Sequence, residues 1–155
     1  MMVAKNKVAQ MNLVNQFKSR SVTKVYLVLV KGKLTPEQGL IDAAIGRDPY
    51  NRKRMAVVSK GKEARTEYEV IRYLCDYTLL EVRTHTGRTH QIRVHLAAIG
   101  YPVAGDSMYG VKSPHFSRQF LHACRLGLKL PSTGDYVEFT SELPSDLAQA
   151  LRDIG

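Results

Sequence analysis

The segment from Val22 to Gly32, VTKVYLVLVKG, is apolar on both of its alternating faces: Tyr26, Val28 and Val30 on one, Val25, Leu27 and Leu29 on the other. Side chains along a strand point alternately to opposite sides, so a strand of this kind has to be covered from above and below. It marks a central strand, and the rest of the chain must supply its neighbours and its cover.

The remaining pattern is mixed. Asn6 can cap a helix running to about Arg20, with Val8, Met11 and Phe17 among its apolar positions. Arg65 to Leu74 and Tyr77 to Arg83 are two β-like runs separated by Cys75 and Asp76, which predicts an antiparallel hairpin. In the run TGRTHQIRVHL, Gly87 can take the positive φ of a tight turn and Thr89 can cap a helix with Ile92, Leu96 and Ile99 as its apolar stripe. Gly100, followed by Tyr101 and Pro102, stops that helix. VAGDSMYG then reads as a glycine-bounded loop, and Gln119 to Leu130 as a short helical turn plus a strand. Tyr136 to Thr140 reads as a last strand, and Pro144 opens a terminal helix. With 155 residues, 44% of them hydrophobic, the chain suits one domain over 1–155. The expected fold is α+β, a mixed, antiparallel-rich sheet with flanking helices.

Charge narrows the partners. Lys and Arg number 23 against 14 Asp and Glu, a net +9, and an excess of this size favours a polyanion such as RNA. Arg47, Arg52, Lys53, Arg54, Lys60, Lys62 and Arg65 fall in one short stretch with little apolar periodicity, which reads as an exposed basic loop able to touch phosphates. No apolar run approaches the roughly 20 residues of a membrane span, and Cys75 and Cys124 stand in unrelated contexts, so the expectation is a cytoplasmic protein with two reduced thiols and no membrane partner.

Few residues point to chemistry. His85, His90 and His95 suggest a metal, yet a five-residue step on a helix turns the side chain to another face, and no paired cysteines help; no metal site is expected. There is no nucleotide-binding loop and no serine-nucleophile motif. Asp106 reads as a turn or capping carboxylate. Arg93 flanks the buried stripe of its helix, where a guanidinium needs water or an anion, and Tyr26 needs a partner for its hydroxyl or a cleft for its ring.

The combination of VTKVYLVLVKG, ARTEYEVI, RTHTGRTHQIRVHLAAIGYPVAGDSMYG and FLHACRLGL, in that order, resembles the RluA-type family of RNA pseudouridine synthases over nearly the whole chain. The resemblance implies a cofactor-free isomerisation of a uridine in folded RNA, with large-subunit rRNA a better candidate than tRNA. The base leaves its stack, its N-glycosidic bond breaks, and it is rejoined through C5. It also implies that Tyr26 packs against the flipped uracil and is a candidate base for the C5 proton. Arg93 would pair with the catalytic aspartate, Ile92 and Leu96 would wall the pocket, and Arg88 would contact phosphate or brace its turn; the RNA contacts expected of Arg47, Arg52, Lys53 and Arg54 rest on their clustered charge instead.

One departure matters. In that family the essential aspartate lies in a segment of the form HRLDxxTSG, just ahead of a strand ending in VAKN, and this chain begins MMVAKN with no HRLD run anywhere. The expectation is a C-terminal portion of the catalytic domain, inactive alone, with the carboxylate partner of Arg93 outside the chain. Its alternative is a non-catalytic RNA-binding module. Missing N-terminal strands would also leave the Tyr26 strand with an open apolar edge and a tendency to self-associate.

Overall fold

In the computed structural model, which describes residues 1–110 and 112–155, the Tyr26 segment forms strand β1 (Thr23–Lys31) at the interior of a sheet. Helix α1 (Lys7–Lys18) precedes it. After it come β2 (Gln38–Asp42), the short β3 (Ile45–Arg47) and β4 (Met55–Val57), then β5 (Arg65–Leu74) and β6 (Tyr77–Thr84). Helix α2 (Gln91–Ala98), β7 (Leu121–Lys129), β8 (Tyr136–Thr140) and α3 (Ser145–Ile154) complete the chain. Six strands pair in the order β2-β5-β6-β1-β7-β8, each pair antiparallel, and β3 and β4 pair apart from them. The α+β class with an antiparallel-rich sheet and flanking helices is as the sequence indicates.

The double-sided pattern of β1 is satisfied by two layers. Val28 and Val30 meet Ile92 and Leu96 of α2, together with Leu80 and Val82. Leu29 faces the other way, onto Leu79, Phe120 and Leu147 and Ala150 of α3. Val28, Leu29 and Val30 are each 0% exposed, and burying a side chain of this size stabilises by roughly 1.5–3 kcal/mol. The β5–β6 hairpin turns at Cys75, whose φ of 43° is the left-handed value that a two-residue connection needs.

Several expectations give way. The edge anticipated beside Tyr26 does not exist, because β6 pairs with β1 on one side and β7 on the other; the sheet ends at β2 and β8. Gln119 to Leu130 carries no helical turn: Leu121–Lys129 is one strand, since ladder bonds to β1 and β8 outweigh its local preferences. The basic stretch is not a plain loop either. It holds the β3–β4 hairpin, whose Ile45 and Met55 pack with Val94 of α2 and Tyr109, a pairing too short to leave a periodic signal. In α1, Asn6 caps as expected by accepting a bond from the Ala9 N–H at 2.9 Å, but Leu13 alone is buried, and Val8, Met11 and Phe17 face outward. The amide of Gln16 ties α1 to the sheet by bonding both backbone groups of Lys129. Among the described residues no helix is long and apolar enough to cross a membrane.

Candidate active site

The turn between β6 and α2 is organised by one side chain. The Oε1 of Gln91, a residue at the first position of α2, accepts from the Thr86 hydroxyl at 2.7 Å and from the Arg88 N–H at 3.0 Å. Its Nε2 donates to the Arg65 carbonyl at 2.9 Å and to the Thr66 hydroxyl at 3.0 Å. A buried amide with every group satisfied fixes the path of the chain, because any other path would strand polar atoms away from water. The turn differs from expectation in detail. The residue with positive φ is His90, at 56°, not Gly87, and His90 rather than Thr89 stands at the cap, with no side-chain capping bond. Gly100 ends the helix with φ 89°, as read from the sequence.

The three histidines go to three different places. His85 bonds Glu67 at the surface, His90 bonds the Tyr109 hydroxyl, and His95 is fully buried. His95 donates from Nε2 to the Ala43 carbonyl and accepts at Nδ1 from the Thr66 hydroxyl, both at 2.8 Å. Burial pushes its pKa below the ordinary histidine value, with the Ala43 carbonyl and Asp42 acting the other way, so it is a neutral structural imidazole.

Arg93 finds its anion within the chain. Its Nε donates to Oδ2 of Asp106 at 2.7 Å and its Nη2 to Oδ1 at 2.8 Å, a bidentate pair in which the aspartate side chain is 0% exposed and the arginine 14%. The expectation that the partner lies outside the chain is therefore corrected for this pair. Asp106 also accepts from the N–H groups of Met108 and Tyr109, so the capping role read from the sequence is present, with the ion pair added. Burial alone would raise its pKa; the bonds from Arg93, Met108 and Tyr109 outweigh burial and hold the carboxyl below its usual range. Of the five guanidinium donors two are used here, which leaves three able to meet a second anion.

A cleft of about 400 Å³ opens beside this pair. Tyr26, Ile92 and Arg93 line it together with Thr84, Arg88 and Lys24, and no Asp or Glu does so among the described residues. Tyr26 is half-buried, and a register shift opposite β7 between Val25 and Tyr26 re-aims the ladder there. Burial raises the pKa of its hydroxyl, with the neighbouring Thr84 hydroxyl acting the other way. The structure thus joins Tyr26, Ile92, Arg93 and Arg88. It excludes Leu96, which is 0% exposed in the core and reaches no cleft, because it lies on the inner line of α2. Arg88 braces its turn by donating to the Glu63 carbonyl at 2.8 Å. Arg47, Arg52 and Lys53 stand exposed on the β3–β4 hairpin, whereas Arg54 lies partly covered over Tyr109.

Reading the sequence did not find Gln91, Thr66 or Tyr109. The signal for Asp106 was present: an arginine on the shoulder of a buried face needs a carboxylate, and Asp106 is the acidic residue of the loop that follows α2.

Residues 1–98 match the family described as RNA pseudouridylate synthase. The chain is 51% identical over 156 residues to an RNA pseudouridine synthase of Chloroflexus aurantiacus, described as uncharacterized, covering 99% of this chain and 49% of that protein. It is 47% identical over 163 residues to ribosomal large subunit pseudouridine synthase D of Nitrosomonas europaea, covering 99% and 47%. The chain spans about half the length of these curated relatives. Among solved structures, human RNA pseudouridylate synthase domain containing 1 superposes with a TM-score of 0.78 at 33% identity, over 97% of this chain and 74% of the other. With the family match extending over more than half of its residues, and a fold shared with that solved relative, the chain belongs to the RNA pseudouridylate synthase family.

Proposed function

We propose that this chain supplies the tyrosine and arginine wall of a cofactor-free RNA pseudouridine synthase site, acting on large-subunit rRNA in the cytoplasm. The observation that carries the reading is the meeting of Tyr26, Ile92 and Arg93 around one cleft, with Arg93 anchored by Asp106 and three donors to spare. In this reaction the bond between N1 and C1′ breaks and a bond between C5 and C1′ forms. C5 gives up its proton and N1 ends with one. An uncharged ring such as Tyr26 can pack on the detached uracil while it turns; with its pKa raised, the hydroxyl can accept the C5 proton only as it releases its own. Arg93 would hold the attacking carboxylate ionised and oriented. Asp106 is no candidate for that carboxylate, since it is wholly buried and its oxygens are engaged by Arg93 and two backbone N–H groups.

The preference for rRNA rests on relatives whose names say ribosomal large subunit. Because no carboxylate lines the cleft among the described residues, the chain by itself is expected to bind RNA with negligible isomerisation. The test joins it to the part of the Chloroflexus relative that this chain does not match and assays pseudouridine in a large-subunit rRNA fragment. Activity should appear in the fusion and fall by at least about a hundredfold in Arg93→Ala. Pseudouridine formed by the unfused chain, or an Arg93→Ala fusion as active as its parent, would refute this assignment. A fusion that binds RNA without isomerising it would favour a non-catalytic RNA-binding module.

A further inference from the structure

The side chain of Tyr109 has no part in the function proposed above, yet it touches Arg93, His90 and the basic hairpin. Its ring centre lies 4.9 Å from the Arg93 guanidinium carbon and 5.0 Å from that of Arg54. Its hydroxyl accepts from the Met55 backbone N–H at 2.9 Å, at the start of β4, and meets Nδ1 of His90 at 2.9 Å. Burial, and then the charges of Arg93 and Arg47, keep His90 below its ordinary pKa, so Nδ1 is free to accept the hydroxyl proton while the oxygen takes the Met55 bond. One side chain therefore connects the basic hairpin, the cap of α2 and the arginine of the cleft.

The hairpin end of this connection is built to respond to an anion. Arg54 makes no ion pair among the described residues, and its Nε is buried without a hydrogen-bond partner. The Nη groups of this half-buried, unpaired guanidinium, rather than the enclosed Nε, can meet a phosphate oxygen, and that contact is less screened by water than one to the solvated Arg52 or Lys53. Two cations beside one ring also repel each other, and a phosphate at Arg54 cancels one of them.

We propose that Tyr109 is a positioning residue that relays occupancy of the β3–β4 hairpin by an RNA phosphodiester to Arg93, through its hydroxyl bond to Met55 and its ring contacts with Arg54 and Arg93. The inference rests on the RNA-binding part of the function proposed above. It divides the basic hairpin into a sensing cation, Arg54, and merely attractive ones, Arg52 and Lys53. It also gives the Arg93 guanidinium, whose position is set by its two bonds to Asp106, a ring contact through which the hairpin alters its electrostatic surroundings.

The test uses the full 155-residue chain and a uridine-containing stem-loop RNA of about 20 nucleotides, a length that spans several phosphates. Affinity is read by fluorescence anisotropy, and the Arg93 Nε–H resonance by NMR at saturating RNA. Tyr109→Phe keeps the ring and the fold but removes the bonds to Met55 and His90. It should leave the Kd within about threefold while cutting the RNA-induced shift of the Arg93 resonance by at least half, since the ring contacts with Arg54 and Arg93 survive but the hydroxyl bond that ties the ring to β4 does not. Arg54→Ala should weaken binding and cut the same shift, and Arg52→Ala should weaken binding with the shift retained. Met55 amide exchange, followed without RNA, should accelerate in Tyr109→Phe while the Met108 amide stays protected. An undiminished Arg93 shift in Tyr109→Phe, or equal loss of shift in Arg52→Ala and Arg54→Ala, overturns the relay and leaves RNA binding intact. Absence of binding by the unaltered chain overturns the functional reading itself and the relay with it.

Discussion

Under α3 the main sheet packs Leu29, Leu79, Phe116, Phe120 and Leu147 into an apolar layer, whereas around α2 the chain buries Thr66, Thr84, Thr86, Gln91, His95 and Asp106. The two sides share the same central strand, so the contrast reflects what each side has to do. Apolar packing is non-directional and tolerates sliding; a network of satisfied polar groups accepts one arrangement and makes every other costly. The α3 side supplies cohesion. The α2 side fixes where Arg93 and the β6–α2 turn stand relative to Tyr26.

The contrast should be breakable from either side. The largest effect is expected from Asp106→Ala, which leaves a mostly buried Arg93 without its carboxylate and frees two backbone N–H groups; urea denaturation should show a loss of about 3–5 kcal/mol. Leu29→Ala, on the α3 side, should cost about 2–5 kcal/mol in the same assay while leaving RNA affinity unchanged once the protein is folded. An equal loss of affinity in both variants would erase the division of labour.

Acidity should act on the α2 side. The fold holds His95 and His90 below the ordinary histidine pKa, so the unfolded chain binds protons that the folded chain resists. The stability this contributes is present above about pH 6.5 and is lost as pH falls through the lowered folded values. Thermal melts should decline below that pH, with the decline reduced in His95→Asn and the His90 part remaining; an unchanged decline would show that His95 is not the group involved. The smallest effect belongs to Arg52→Ala, exposed on the hairpin. Stability should stay within about 0.5 kcal/mol, while the slope of log affinity against log salt drops by roughly one phosphate contact.

Legibility in the sequence followed how local the cause was. The Asn6 cap, the Cys75 turn, the Gly100 stop and the two-sided strand each depend on a few adjacent residues, and each is found where the residues indicated. The β3–β4 hairpin, the single strand Leu121–Lys129 and the outward face of α1 depend on what lies beside them in space. Leu96 shows the limit clearly: the stripe it shares with Ile92 is real, but a stripe has an inner line and a rim, and only Ile92 lies on the rim that meets the cleft. Gln91 and Tyr109 left no periodic signal, because a polar side chain within a motif looks the same whether it faces water or satisfies four buried groups.

By itself the sequence determined the class of fold, the central strand, the basic character of the stretch from Arg47 to Arg65 and the need of Arg93 for an anion, all of which follow from periodicity, charge and the cost of an unpaired guanidinium. Only the tertiary structure decided which anion answers that need, that β1 is flanked on both sides, and that Tyr109 joins the hairpin to the cleft. These are matters of which distant segments meet, and a pairing over long sequence separation is set by the packing of the whole chain rather than by the preferences of any stretch of it.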